Sequence, residues 1–285
     1  MRVALHSRDF HAKSIRFIEK IIDLLQARHA KVIISDKVKK HLEGAIKFFD
    51  YKSGLEDVDY FVSIGGDGTL LESVTYIGRR EIPILGINTG RLGFLATISR
   101  DETEIAIDLL CNRKLKTDER SLLQLSSEPK LFDGFSYALN DFTIMKKDTS
   151  SMITVHVFVD DEILNSYWSD GVIVATPTGS TGYSLSGGGP LVVPGTDSII
   201  ITPVSPHNLT ARPIVISDKS EITFKIEGRS KKFLISMDSR FETIDDSVKL
   251  KIKKAGFHVK LLQMQGHSHF NTLRQKLNWG FDIRN

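Results

Sequence analysis

At 285 residues, 41% hydrophobic and 26% charged, the chain has ordinary globular composition and room for one large domain or two ordinary ones. Its net charge of +3, from 38 basic and 35 acidic residues spread along the whole length, carries no basic tail or stripe for nucleic acid, while a phosphorylated small molecule remains compatible. Cys111 is the only cysteine, which excludes an internal disulfide and a cysteine-built zinc cluster.

The start, Met1 to His6, lacks the longer apolar stretch of a secretion signal, and no run approaches the ~18 apolar residues of a membrane span, so a cytoplasmic protein with no membrane partner is expected. Val3-Ala4-Leu5 reads as a strand, followed by a helix carrying Ile15, Phe17, Ile18, Ile21, Ile22 and Leu25. Val32-Ile33-Ile34 is a second strand, with a weaker helix near 38–49. Tyr60 to Ile64 reads as a buried strand running into Gly65-Gly66-Asp67-Gly68-Thr69. Thr69 and Glu72 have capping-box spacing, and Leu70, Leu71, Val74 and Ile77 share one face of a helix that ends at Gly78.

The glycines therefore lie in a tight strand-to-helix turn, where absent Cβ atoms let backbone N–H groups approach an anion and the helix start adds partial positive charge. Asp67 would repel a phosphate, and is better explained as the group that meets a hydroxyl. Ile82 to Ile87 is a further strand, and Glu102 to Leu110 a helix with Ile105, Ala106 and Leu109 as its apolar side. Such alternation implies a parallel sheet covered by helices.

From about residue 120 the period changes to two. Ile153, Val155, Val157 and Val159 alternate with Thr154, His156 and Phe158, and Asp160-Asp161 turns the chain into Glu162-Ile163-Leu164 as a hairpin. Ile222 to Ile226, Val248 to Lys253 and Phe257 to Leu262 follow the same pattern, so this half is antiparallel β with one wet face. Ser126 to Gly134 is the most loop-like stretch near the boundary, and Asn271 to Trp279 reads as a short helix packing back on the first domain. The expected fold is α+β: an α/β domain over 1–118 with the tail 267–285, and a β-rich domain over 119–266.

A second glycine-rich segment, Thr176-Pro177-Thr178-Gly179-Ser180-Thr181-Gly182-Tyr183-Ser184, again follows a strand. Its hydroxyls suit ribose and phosphate oxygens, and Tyr183 offers a flat face for a ring. An ordinary loop of small residues is the bland alternative for either segment, and two such segments in one chain weaken it. No Walker lysine is present, and Leu71 stands where a dinucleotide fingerprint wants glycine. The Gly-x-Ser-x-Gly spacing of a hydrolase elbow is missed twice. His267 and His269 read as solvated loop histidines, with no third metal ligand nearby.

Quoted together, Gly65-Gly66-Asp67-Gly68-Thr69, Gly86-Ile87-Asn88-Thr89-Gly90-Arg91-Leu92-Gly93-Phe94-Leu95, Asn140-Asp141, Ser169-Asp170-Gly171 and Thr176 to Ser184 match the order and spacing of the NAD kinase family, which the chain closely resembles. The resemblance spans nearly the whole chain. It implies transfer of the γ-phosphate of ATP to the 2′-hydroxyl of the adenosine ribose of NAD, with a divalent cation such as magnesium. Asp67 would accept the proton, with Gly68 beside it at the ribose, and Gly65, Gly66, Gly68 and Thr69 would hold the ATP phosphates. Asn140 and Asp141 would hold hydroxyl or amide groups of NAD, and Asp170 would sit near the nicotinamide. Thr181, Gly182, Tyr183, Ser184, Leu185 and Ser186 would line the NAD cleft, with Ser151, Trp168 and Arg240 flanking it.

The resemblance also implies a homo-oligomer, dimer or tetramer, whose neighbouring subunit completes the NAD site. Trp168 stands where the family often has a basic residue, Arg240 where an amide is usual, and Gly182 where alanine is frequent. The first glycine turn is shared with diacylglycerol kinase-like lipid kinases, one alternative; a non-catalytic dinucleotide-binding regulator is the other.

Overall fold

Val3, Ala4 and Leu5 are fully buried in β1 (Arg2–Ser7), the outcome expected of an apolar run covered on both faces. This strand belongs to a computed structural model that describes residues 1–42, 47–50, 53–147 and 151–278. After β1 come α1 (Ala12–Ala27), β2 (Lys31–Ser35), α2 (Asp36–Lys39), β3 (Phe48–Phe49), β4 (Tyr60–Ile64), α3 (Asp67–Ile77), β5 (Ile84–Ile87) and α4 (Thr103–Cys111). The strands are parallel in the order β5-β4-β1-β2-β3. Helix α1 buries Ile18, Ile21, Ile22 and Leu25 along a stripe at helical spacing against this sheet's core.

Ser7 pairs with Ile64, and Ile64 with Ile87, so the segments after β1, β4 and β5 leave the sheet at one level. In open α/β sheets ligands bind at this carboxyl edge.

Four local expectations are corrected. The weak helix near 38–49 is the short α2, begun earlier at Asp36 and capped by the Ser35 hydroxyl, with β3 at its far end; residues 43–46 lie outside the described ones. Thr69 and Glu72 do not form a capping box: α3 starts three residues sooner, its N-cap is Gly66, and Glu72 is drawn instead to Lys37 and Arg8. Helix α4 buries Ala106, Ile107 and Leu110, whereas Ile105 is 56% exposed, because the sheet lies on the other side of the stripe first read. The segment 126–134 is only partly loop, since its first residues still belong to a long strand.

That strand is β6 (Lys116–Glu128); after it come β7 (Tyr137–Ala138), β8 (Asp141–Lys146), β9 (Ile153–Val159), β10 (Glu162–Ser169), β11 (Gly171–Ala175), the one-turn α5 (Tyr183–Ser186), β12 (Ser198–Val204), β13 (Ile214–Ser217), β14 (Ile222–Glu227), β15 (Lys232–Met237), β16 (Arg240–Asp245) and β17 (Lys249–Gln263). Antiparallel β10-β9-β14-β17 face a six-stranded antiparallel sheet, β13-β12-β11-β8-β15-β16. Val155, Val157, Ile222 and Ile252 from the first meet Phe142, Ile144, Val174 and Ile235 from the second in one core. Asp160 and Asp161 both have positive φ, 51° and 66°, as a two-residue hairpin turn requires.

Contacts divide the chain into Met1–Glu119 with Val259–Asn285, and Arg120–His258. The return at Val259 precedes the expected 267 because Leu261 and Leu262, still in β17, pair with Ile84 and Leu85 of β5. Finally α6 (His269–Leu277) buries Leu273 within the first unit; Trp279, read as its end, lies outside the described residues.

Candidate active site

In the first unit the site is built where β4 ends. Gly65 takes φ 151°, and a Cβ there would lie 2.3 Å from Thr69 Oγ1, so the bend closes only on glycine. Asp67 is the first residue of α3, where a carboxylate is favoured by the helix dipole. Its side chain reaches the loop after β5. Phe94 N–H donates to Oδ2 at 2.8 Å, and the Leu95 and Ala96 N–H groups to Oδ1 at 3.0 Å each.

Three of the roughly four acceptor positions of the carboxylate are thereby occupied. The loop is shaped for this grip. Asn88, 3% exposed, donates to the Arg91 and Ala96 carbonyls at 2.7 and 3.3 Å and accepts from Gly90 N–H at 2.7 Å. A Cβ at Gly93 would lie 2.0 Å from Asp67 Oδ1.

Not all four expected phosphate holders are available. Gly65 N–H donates to Ile87 O at 2.9 Å and Thr69 N–H to Gly66 O at 3.0 Å, so those amides serve the fold. Gly66 and Gly68 are exposed at the start of α3, where the first amides have no intrahelical acceptor. A Cβ at Gly66 would meet nothing within 4 Å, and one at Gly68 only Arg8 Nη1 at 3.8 Å. No neighbouring atom demands glycine at either position, and both faces are open.

In the second unit Asn140 and Asp141 are pinned from both sides. Asp238 accepts from Leu139, Asn140 and Asp141 N–H at 2.9, 2.8 and 3.2 Å, while Thr176 N–H donates to Asn140 O at 2.9 Å. Thr176 Oγ1 donates to Leu139 O at 2.6 Å and accepts from Gly179 N–H at 3.0 Å, which ties the second glycine-rich segment to the same strand start. A Cβ at Gly182 would stand 3.4 Å from Asp141 Oδ2 and 3.8 Å from Asn140 Nδ2, so Asn140, Asp141 and Gly182 are brought together. Burial pushes the Asp141 carboxyl up to about 7, helped by the nearby Asp238 charge and opposed by a hydrogen bond from the Tyr183 amide. Removal from water raises Asp238 as well, against its three amide donors.

The other expected NAD residues divide. Tyr183 is 42% exposed, and Ser186 is exposed beside half-buried Thr181 and Leu185. Ser184 points inward: it is fully buried and its hydroxyl is bonded to Thr202 Oγ1 at 2.9 Å. Asp170 is engaged by Lys146 Nζ at 2.6 Å. Trp168 is half-exposed with its ring 4.3 Å from that of His207, and Ser151 is half-buried ahead of β9.

Arg240 holds the protein rather than presenting itself: its guanidinium donates to the Phe135 and Tyr137 carbonyls and lies over the Phe135 ring at 4.9 Å. His267 meets Glu102 at 3.2 Å, and among the described residues no cluster of three or more His, Cys, Asp or Glu could hold a metal.

Missed by sequence reasoning were the 88–96 loop as the holder of Asp67, and Arg8 beside Gly68. The available signal was the cluster Asn88, Gly90 and Gly93 directly after β5.

An α/β unit with a glycine turn and a positioned carboxylate, joined to a β unit carrying a polar glycine-rich segment, defines a nucleotide-dependent phosphotransferase. Residues 3–115 match the ATP-NAD kinase N-terminal domain and residues 139–264 the ATP-NAD kinase C-terminal domain. The chain belongs to the NAD kinase family.

It is 48% identical over 292 residues to an NAD kinase of Cytophaga hutchinsonii and 41% over 291 residues to one of Bacteroides fragilis, covering all of each chain. A crystal structure of an NAD kinase from Archaeoglobus fulgidus in complex with ATP superposes with TM-score 0.76 at 26% identity, over 98% of this chain and 99% of that one. Yeast NADH kinase complexed with NADH shares the fold, with TM-score 0.87 at 24% identity, over 100% of this chain and 89% of the other. The C-terminal match decides against the lipid-kinase alternative.

Proposed function

We propose that the protein transfers the γ-phosphate of ATP to the 2′-hydroxyl of the adenosine ribose of NAD, giving NADP and ADP, and so serves NADP biosynthesis. The observation that carries this reading is the Asp67 carboxylate, fixed by three amides at the start of α3 beside two glycines whose open faces no protein atom explains. One acceptor position is left on that carboxylate, which suits a single hydroxyl hydrogen bond.

A carboxylate cannot strip a ribose hydroxyl outright, since the alcohol lies many pKa units higher and each unit is worth about 1.36 kcal/mol. The transition state of phosphoryl transfer is loose, so the nucleophile need not be an alkoxide at the start. Asp67 accepts the hydroxyl hydrogen bond, aims the oxygen in line with the γ-phosphorus and takes the proton late. The new bond joins the 2′-oxygen to phosphorus as the bond to the bridging oxygen of ADP breaks, and the proton passes to solvent as product leaves. Amides at Gly66 and Gly68 stabilise charge on the transferring group.

Asn140, Asp141 and the exposed face of Tyr183 hold the dinucleotide. A divalent cation would offset charge on the donor phosphates when bound. The family resemblance supports a cytoplasmic location and a homo-oligomer, dimer or tetramer, in which a neighbour completes the NAD site; the described residues contain no helix long and apolar enough to cross a membrane.

The test is to supply NAD, ATP and magnesium and detect NADP with an NADP-specific dehydrogenase. NADP accumulation supports the reading; dinucleotide binding without NADP formation supports the non-catalytic regulator instead.

A further inference from the structure

Arg8 comes directly after β1, and the register Ser7–Ile64 places it on the carboxyl edge of the sheet beside the glycine turn. Its guanidinium is held on one edge by Glu72 and stands near Gly68. Nε lies 3.2 Å from Glu72 Oε2, and Nη1 would be 3.8 Å from a Cβ on Gly68.

Glu72 sits one helical turn after Gly68 on α3 and is itself fixed: its side chain is 11% exposed, Lys37 Nζ holds Oε1, and buried His6 lies 3.5 Å from Oε2. An isolated surface ion pair gives no reason for such an anchor, because exposed pairs contribute little and demand little order. Here a nearly buried carboxylate holds one edge of a half-exposed guanidinium, and its Nη1 stands beside the open face of Gly68. A guanidinium matches phosphate oxygens through two parallel N–H donors.

We propose that Arg8 is a binding residue for the phosphates of the donor nucleotide, set in place by Glu72. The inference rests on the ATP-dependent reading of the site and deepens it by naming a donor-side ligand. The chemistry recognised is a phosphate chain, which both ATP and the dinucleotide carry; the reading of the α3 start as the donor-phosphate site assigns it to ATP, and the separate KM values for ATP and NAD decide between them.

The test measures KM for ATP and for NAD, together with calorimetric binding of a non-hydrolysable ATP analogue, for wild type, Arg8→Ala, Arg8→Lys and Glu72→Gln. Arg8→Ala is expected to raise KM for ATP and weaken analogue binding by about 10- to 100-fold, with KM for NAD within about twofold. Arg8→Lys should recover part of the loss, and Glu72→Gln should show a smaller shift of the same kind, since it frees the guanidinium without removing it.

An unchanged KM for ATP in Arg8→Ala overturns the assignment. A shift confined to NAD, or equal for both substrates, overturns it as well. If wild type binds the analogue but forms no NADP, the functional reading has failed while the Arg8 assignment is still decided by the binding arm.

Discussion

Gly93→Ala tests the grip on Asp67 without touching a titratable group. The built Cβ lies 2.0 Å from Asp67 Oδ1 and 2.8 Å from its Cγ, whereas ordinary contact begins near 3.4 Å, so carboxylate and loop must separate by about 1.4 Å (3.4 minus 2.0). That displacement breaks or stretches the hydrogen bonds from Phe94, Leu95 and Ala96, each of a charge-assisted kind worth about 1.5–3 kcal/mol.

Misplacing a reacting group by about 1 Å costs on the order of 10²-fold in rate, and kcat is expected to fall by at least that. Overpacking should cost about 1–3 kcal/mol in stability, read as a lower melting temperature in the same preparation. Gly90→Ala is the control, because its Cβ would meet only Asn88 Oδ1 at 3.9 Å, and it should retain activity. Steady-state kinetics with saturating ATP and NAD decide the matter. A Gly93→Ala enzyme with kcat within about threefold of wild type refutes the claim that the 88–96 loop positions Asp67.

Gly68→Ala is expected to separate stability from activity: no protein atom obstructs the methyl group and glycine is a poor helix former, so stability should rise by about 0.5 kcal/mol while turnover or ATP affinity falls. Equal or better activity in thermally stabilised Gly68→Ala would show that the open face is not a ligand's. Asp141→Asn should alter the pH dependence of stability. With the folded carboxyl near 7 against an ordinary 3.8, the folded state holds more protons than the unfolded one between those values, so wild-type stability falls as pH rises through that window. The variant escapes this loss, gaining on wild type between pH 4 and pH 8 by an amount with a ceiling of roughly 3–4 kcal/mol. Urea unfolding at both pH values checks it, and a pH-independent difference contradicts the raised carboxyl.

The glycine turn was legible because it is local: an apolar strand, three glycines and a helical stripe from Leu70 to Ile77 lie within 18 residues of sequence, Tyr60 to Ile77. The Asp160-Asp161 hairpin was legible for the same reason. What escaped was long-range. Asp67 finds its donors 27 to 29 positions away, and Arg240 reaches carbonyls more than 100 positions back, contacts that no periodicity encodes. Ser184 misled because a serine in a polar segment reads the same whether it faces solvent or Thr202. Glu72 misled because capping-box spacing is only a spacing, and the cations after β1 and on α2 that claim the carboxylate are invisible from α3 alone.

The most direct measurement is NADP formation by Asp67→Asn, the phosphate position fixed by phosphorus NMR of the product. The asparagine keeps size and, with its oxygen toward Leu95 and Ala96, two of the three amide hydrogen bonds, but it removes the charge and sets its NH2 against the Phe94 N–H; stability should therefore drop by about 1–3 kcal/mol with the fold and most NAD affinity kept, while turnover falls by roughly two to four orders of magnitude, the scale of a positioned acid or base. Near-normal turnover by this variant, with phosphate still appearing on the 2′-oxygen, would contradict the role given to Asp67.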